Sequence, residues 1–378
     1  MRNVFRNTDY ILLGLVIALV VIGIIGIYSA GMNSTSSSDE WTKQILWACI
    51  SLGVMFAAWM LDYHLAGSIG IVAYPIFLVA LVAVLFMPEI NGASSWFNLG
   101  GFLLQPSEFM KIAYILAVAK YMEYMGKGKE AVNRIQNILI IGAMFAVPVV
   151  LIMLQPDLGT AIVFASITFF MMFKSGLSYK YVIALILLVI ILVPLVYFFV
   201  LNDYQQQRIL VFLNPEREPL GAGYNAIQSK IAVGSGMLFG TGLGKGTQTQ
   251  WGYLPVKSSD FIYSVISEEF GFIVSILIVI MYVVMLLRIL KLAETSKDRF
   301  GSLIAIGIFG MYFFHFLENI GMTIGLMPIT GIPLPFVSYG GSSLLTNFAC
   351  LGLLLSISGR RQKSLFVEYK IYINKKQT

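Results

Sequence analysis

Long apolar runs constrain this chain more than any other feature. A helix needs about 20 apolar residues to cross a bilayer, and ten runs of about that length occur, at 9–31, 41–61, 65–87, 107–124, 137–154, 158–173, 178–201, 261–288, 301–326 and 341–358. Only 12% of the 378 residues are charged, against about 25% in a soluble protein. We predict an all-α polytopic membrane protein of about ten transmembrane helices, with residues 1–378 forming a single integral membrane domain.

The basic residues predict how this bundle is oriented. Ten spans put both termini on one side, and most of the 25 lysines and arginines fall in the termini and loops of that side. The positive-inside rule places these segments, including the tail 361–378, in the cytoplasm. The net charge of +6 is thereby explained without a nucleic-acid partner. The largest outward segment, 202–260 between the seventh and eighth spans, is an extracytoplasmic loop, and long loops are usually functional.

Cysteines and histidines give no metal-binding pattern. Cys49 and Cys350 lie in apolar runs, which favours core packing over a disulfide. His64 and His315 are isolated in the sequence, so we expect no histidine metal site.

Ionisable residues gather at the predicted outer ends of spans, where burial makes them functional candidates. The stretch "QPSEFMK" places Glu108 and Lys111 one helical turn apart, and "QPDLGTA" places Asp157 at the start of the sixth span. Each has a structural alternative: an i, i+3 ion pair for the first, and a carboxylate at a helix N-terminus for the second.

The stretch "SSDFIYSVISEEFGF" carries three carboxylates. Asp260 opens the eighth predicted span, and Ser264 and Glu268 follow at i+4 and i+8. In a helix this spacing puts Asp260, Ser264 and Glu268 near one face. The alternative for Asp260 is a helix N-cap. Glu268 and its neighbour Glu269 need donors from another span, a cation or a polar cavity.

A fourth polar cluster spans the end of the ninth predicted span. Glu318 and Asn319 lie inside the span, and a loop with three prolines follows and leads into the stretch Ser338–Ser342. Irregular backbone at a membrane needs protein or water around it. The loop therefore either lines a cavity or connects two spans rigidly.

Glycines crowd the segment Gly234–Gln250, "GSGMLFGTGLGKGTQTQ". It is not a nucleotide-binding P-loop, because Phe239 and Gly246 stand where that motif has Gly and Ser or Thr. The segment also faces away from the cytoplasm, so we expect no nucleotide. Any phosphate bound there arrives on a lipid, as in a sugar linked to lipid pyrophosphate.

Transfer of such a sugar needs a base for the acceptor hydroxyl and charge or N–H groups for the departing pyrophosphate. Asp260 suits the first role. The amides of the glycine-rich segment suit the second role, as do four cations: Lys111, Arg208, Lys245 and Lys257. The pair Glu268 and Glu269 suits a hard divalent cation, Mg²⁺ or Mn²⁺.

These stretches, with "EPLGAGYNAIQSK" and "GLMPITGIPLPFVSYGGSS", resemble the SEDS family (shape, elongation, division, sporulation) of bacterial cell-wall polymerases across almost the whole chain. The forms "EPLGAGY" and "GTQTQ" are most similar to its rod-shape-determining (RodA) branch. The resemblance implies ten membrane helices in the bacterial plasma membrane and a peptidoglycan glycosyltransferase that polymerises lipid II outside the cell. It also implies a class B penicillin-binding protein as partner.

The resemblance puts the catalytic aspartate at Asp260. The expected substrate-binding residues are Glu108, Lys111, Asp157, Arg208, Gln228, Lys245, Gln248, Lys257, Glu268, Glu269, Ser338, Tyr339 and Ser342. Two positions depart from the family pattern: Ser95 replaces an arginine before a tryptophan, and Ser259 replaces the threonine before Asp260. The alternatives are a lipid II flippase and a non-catalytic scaffold for a penicillin-binding protein.

Overall fold

Long helices occupy all ten predicted spans in the computed structural model. The structure describes residues 5–33, 39–88, 94–98, 100, 103–126, 129–199, 206, 210, 212, 214 and 222–361. In chain order the elements are α1 Tyr10–Gly31, α2 Glu40–Met60, α3 Tyr63–Val84, β1 Phe97–Asn98, β2 Leu103–Leu104, α4 Pro106–Tyr124, α5 Lys129–Asn133, α6 Ile135–Met153, α7 Leu158–Lys174, α8 Tyr179–Phe199, α9 Ala222–Ser235, α10 Thr247–Gln250, α11 Ile262–Thr295, α12 Arg299–Thr323 and α13 Gly341–Arg360. The strands β1 and β2 form an antiparallel hairpin with Phe97 opposite Leu104.

Seven helices in the described part of the chain are long and apolar enough to cross a membrane: α1, α2, α3, α6, α11, α12 and α13. The other three predicted spans are occupied by α4, α7 and α8, which are not among these seven helices. For α7 and α4 the sequence gives the reason. Helix α7 has only 17 residues, and α4 contains two Lys–Glu pairs. Helix α8 has 21 residues, almost all apolar.

The centre of the bundle is formed by α12 and α13. In their most apolar stretches, 72% of α12 and 83% of α13 are buried. Helix α13 packs mainly against α2, while α12 packs against α7 and α11 and α3 packs against α4. Because α12 and α13 are enclosed by protein, they can carry polar side chains that would be costly on a lipid-facing helix.

Helix α11 is broken near its start, a feature not predicted from the sequence. Gly271 has φ 77° and ψ −175°, outside the helical range. Segment Gly234–Gln250 packs at this break: the Phe272 N–H donates to the Met237 carbonyl (2.8 Å), and the Thr241 N–H donates to that of Glu268 (3.0 Å). These bonds satisfy backbone groups that a broken helix in a membrane would otherwise leave unpaired.

At the end of the bundle opposite Asp260, the side chain of Asp298 connects the start of α12 to the start of α3. It caps α12 by accepting from the Gly301 N–H (2.8 Å), and it also accepts from the Tyr63 hydroxyl and lies 3.2 Å from His64 Nε2. Burial alone raises the pKa of Asp298, but these three partners outweigh it and leave the pKa below its usual 3.8.

We expect Asp298 to make stability pH-dependent in the acid range. A carboxylate with a depressed pKa contributes fully above its unfolded value, and the contribution is lost as pH falls through that value and below. Asp298→Asn keeps an N-cap side chain but does not titrate. Melting temperatures measured from about pH 6 to about pH 3 should therefore fall more steeply for the wild type than for the variant, and parallel curves would contradict this role.

Candidate active site

Asp260 lies in a turn just before α11 and is partly exposed. The prediction that Asp260 opens the helix is wrong, because α11 begins at Ile262, and the N-cap position belongs to Phe261. Asp260 therefore does not share a helix face with Ser264 and Glu268. The Ser259 hydroxyl donates to Asp260 Oδ1 (3.0 Å), so the serine that replaces the family threonine contacts the carboxylate.

The proline-containing loop between α12 and α13 binds this turn through its C-terminal half. Ser338 Oγ donates to the Ser259 carbonyl (2.6 Å), and the Tyr339 N–H donates to the Ser258 carbonyl (2.9 Å). The predicted site residues Ser338 and Tyr339 thus lie beside Asp260. Ser342 lies further along and connects α13 to the β-hairpin, donating to the Leu103 carbonyl (3.2 Å).

Glu108 and Lys111 form a buried ion pair with 2.7 Å between Oε1 and Nζ. Lys111 Nζ also lies 3.0 Å from His315 Nε2, and His315 Nδ1 lies 2.9 Å from the Pro333 carbonyl. The network therefore connects α4 and α12 to the loop that meets Asp260. His315, treated as isolated in the sequence, was missed. Its position inside a span, one turn before Glu318, was the available signal.

Asp157 caps α7 by accepting from the Thr160 N–H (2.9 Å), as the structural alternative predicted. Burial raises the pKa of Asp157, opposed by the Thr160 hydrogen bonds and the charge of Lys111. The following turn of α7 packs on the proline-containing loop, since a Cβ on Gly159 would lie 2.6 Å from Ile332. Asp157 thus lies at the same end of the bundle as Asp260.

The adjacent carboxylates Glu268 and Glu269 find donors from two elements. Glu268 accepts from the N–H groups of Gln248 (2.8 Å) and Thr249 (2.9 Å) at the start of α10. Glu269 accepts from Gln250 Nε2 (2.9 Å) and from the hydroxyl of Ser29 on α1. Of the three partners expected from sequence, a donor from another span is present in Ser29 of α1, and α10 in the loop 202–260 supplies the other donors. Substrate contact by Glu268, Glu269 and Gln248 stays a prediction.

Many amides of the glycine-rich segment have acceptors within the protein, which leaves fewer of them for a phosphate than the sequence suggested. In the described residues, these N–H groups donate to acceptors within the protein: Gly240, Thr241, Gly242, Gly244, Lys245, Gln248, Thr249 and Gln250. The glycines instead permit close approach of backbones. A Cβ on Gly240, which has φ +83°, would lie 2.1 Å from the Glu269 carbonyl oxygen.

The predicted cations occupy different surroundings. Lys257 is buried and donates to the Thr249 carbonyl (2.7 Å); burial lowers its pKa, opposed by Glu269 and Glu40. Lys245 is exposed. Arg208 lies outside the described residues, as do most of 202–221 and the tail beyond Arg361.

Gln228 lies on α9 and is partly buried. Its neighbour Ser229 fixes α9 to the bundle, donating to the Thr323 carbonyl (2.8 Å) and lying 2.7 Å from the hydroxyl of Ser264 on α11. Ser264, predicted to share a face with Asp260, is used in this helix contact.

The Mg²⁺ or Mn²⁺ ion stays a prediction, because such an ion is often held by only one or two carboxylates together with the phosphates of a substrate. The described residues contain no group of three or more His, Cys, Asp or Glu side chains close enough to hold a metal ion. Both carboxylates proposed from sequence, Glu268 and Glu269, already accept hydrogen bonds from protein donors.

Ser95, which replaces an arginine of the family pattern, is buried. Its hydroxyl lies 3.5 Å from the Gln155 carbonyl, in the turn before Asp157. A small hydroxyl side chain fits this enclosed position.

Comparison with known proteins identifies the family of this chain. The family model for cell cycle proteins of the FtsW, RodA and SpoVE type matches residues 9–363. The chain belongs to this family. It is 36% identical over 427 residues to the peptidoglycan glycosyltransferase RodA of Treponema pallidum, covering 93% of this chain and 98% of the relative. It is 37% identical over 360 residues to the stage V sporulation protein E of Bacillus subtilis, covering 93% and 97%.

Solved structures of relatives share the fold. A chain from a peptidoglycan synthase complex, studied for its coordination of polymerization and crosslinking, superposes with a TM-score of 0.79 at 29% identity and covers 94% of this chain and 99% of its own. The rod shape determining protein RodA of Thermus thermophilus gives 0.70 at 26% identity, covering 94% and 98%. The predicted all-α polytopic fold is thereby confirmed.

Proposed function

We propose that this chain is a peptidoglycan glycosyltransferase of the RodA type, which polymerises lipid II into β-1,4 glycan strands during cell elongation and so maintains cell shape. The relatives in the family that carry this activity in their names align over almost the whole chain. The observation that carries the mechanism is the carboxylate of Asp260, partly exposed in a turn that is braced by Ser259 and Ser338.

In this mechanism Asp260 is the general base. It accepts the proton of the acceptor hydroxyl while that oxygen bonds to the anomeric carbon of the donor sugar. The bond from this carbon to the pyrophosphate oxygen breaks, and undecaprenyl pyrophosphate leaves with both electrons. Attack opposite the leaving group inverts the anomeric centre and gives the β linkage.

Charge on the departing pyrophosphate needs cations nearby. Lys245 is exposed, and together with Arg208 it is our candidate for this role. Lys111 is held by Glu108 and His315, and its charge acts on the neighbouring carboxylate of Asp157. A Mg²⁺ or Mn²⁺ ion on the pyrophosphate stays a prediction, and no step here depends on it.

The chain is a multi-pass membrane protein, and we place it in the plasma membrane with both termini in the cytoplasm. This orientation puts Asp260 on the outer face, where lipid-linked sugars and not nucleotides are the available donors. The partner we propose is a class B penicillin-binding protein, as suggested by the synthase complex that superposes on this chain.

Reconstitution tests the proposal. Purified protein with a class B penicillin-binding protein, whose transpeptidase is blocked by a β-lactam, should convert lipid II into glycan strands resolved by gel electrophoresis. Movement of fluorescent lipid II between leaflets without polymer would favour the flippase. Polymer formation by the penicillin-binding protein alone, unchanged by adding this chain, would favour the scaffold.

A further inference from the structure

Asn319 connects the Asp260 turn to the proline-containing loop. It is fully buried on α12, one turn before the helix ends at Thr323. Its side-chain nitrogen donates to the Asp260 carbonyl and to the Ile332 carbonyl, each at 2.9 Å. An amide nitrogen carries two N–H groups, so these two bonds use both of them.

The backbone held by Asn319 runs beside the Asp260 carboxylate. Gly331 has φ +77°, and a Cβ there would lie only 3.2 Å from Asp260 Oδ2. A second hydrogen bond from α12 holds the same loop segment: the Thr330 hydroxyl donates to Glu318 Oε1 (2.8 Å). Glu318 is buried, with 1% exposure. Thr330–Ile332 therefore forms a wall beside the carboxylate, held from α12 at both ends.

We propose that Asn319 is a positioning residue for the transferase reaction, fixing the Asp260 carboxylate relative to the Thr330–Ile332 wall. This inference rests on the proposed function. The carboxylate lies in an irregular turn, so its direction depends on how the turn is held. Only a double donor suits two facing carbonyl oxygens; an aspartate at 319 would place an acceptor against both. Displacing a catalytic group by about 1 Å can lower the reaction rate about 100-fold.

The test compares Asn319→Ala and Asn319→Asp with Ser229→Ala in the reconstituted assay with a penicillin-binding protein. Ser229 is a matched control, because it is buried, makes hydrogen bonds to Thr323 and Ser264, and does not bond to the Asp260 turn. We expect kcat to fall about 10- to 100-fold in Asn319→Ala and further in Asn319→Asp, with KM for lipid II nearly unchanged. The acid limb of the pH–rate profile should also move. Ser229→Ala should keep kcat and the profile despite a similar loss of thermal stability.

A second pair tests the wall without altering Asn319. Glu318→Ala removes the acceptor for Thr330, and Glu318→Gln restores one through its amide oxygen. We expect a lower kcat in the first variant and recovery in the second, which keeps the test valid if Asn319→Ala does not fold.

The outcomes separate this inference from the proposed function. If the wild type makes no polymer, or Asp260→Asn polymerises as well as the wild type, the proposed function or its base is wrong. If the wild type depends on Asp260 but Asn319→Ala keeps its kcat, or only KM rises, positioning by Asn319 is wrong. If Ser229→Ala lost as much kcat as Asn319→Ala, the effect of Asn319 would be a general structural one, and the proposal would be wrong.

Discussion

Asp260→Asn should reduce polymerisation of lipid II by about 10²- to 10⁴-fold, the usual contribution of a general base. The amide has the size of the carboxylate and can accept the Ser259 hydrogen bond, but it cannot take a proton at neutral pH. The turn keeps its backbone bonds to Asn319 and Val256, so folding should be preserved. Initial rates of glycan formation, with and without the partner, measure the effect.

Asp62→Asn is the control. Asp62 caps α3 at the opposite end of the bundle, accepting from the His64 N–H (2.9 Å), and asparagine caps helices equally well. This variant should polymerise at the wild-type rate. A rate for Asp260→Asn within a few-fold of the Asp62→Asn rate would remove Asp260 from the mechanism.

Gly236→Ala should destabilise the protein by about 3 kcal/mol, at the upper end of the usual cost of overpacking. A Cβ on Gly236 would lie 1.9 Å from the Ser267 carbonyl oxygen. That oxygen belongs to the backbone of α11, so it cannot move aside as a flexible side chain would. The new methyl group would force the glycine-rich segment away from the break at Gly271.

Gly234→Ala is a control only two residues away. Nothing lies within 4 Å of a Cβ on Gly234, which is in the last turn of α9. Alanine there should be neutral or stabilise by up to about 1 kcal/mol, because it favours the helix. Thermal unfolding in detergent compares the two. Equal melting temperatures would show that the segment tolerates displacement from α11.

The positions of the helices could be predicted because a bilayer imposes a length on each apolar run. For α3 and α13, the predicted spans end within three residues of the observed helices. Two contacts were also local: the Glu108–Lys111 ion pair and the Asp157 helix cap each join residues three positions apart. Such features depend on short-range spacing, which is visible in the sequence.

The parts that could not be predicted depend on partners far along the chain. Nothing local indicates that Gly271 breaks α11, because the break is stabilised by backbone bonds to residues well upstream, among them Met237 and Thr241. Asn319 bonds to Asp260 across 59 residues, and Glu269 bonds to Ser29 across 240. Spacing could identify these side chains as polar but could not assign their partners.

The buried lysine of α4 has a consequence for the order of membrane insertion. His315 lies 204 residues after Lys111, so at about 5–20 residues per second α4 is synthesised tens of seconds before α12. During that interval Glu108 is the counterion that the same helix supplies. The i, i+3 spacing therefore lets a nascent segment leave the translocon as a neutral pair, long before its final neighbour exists.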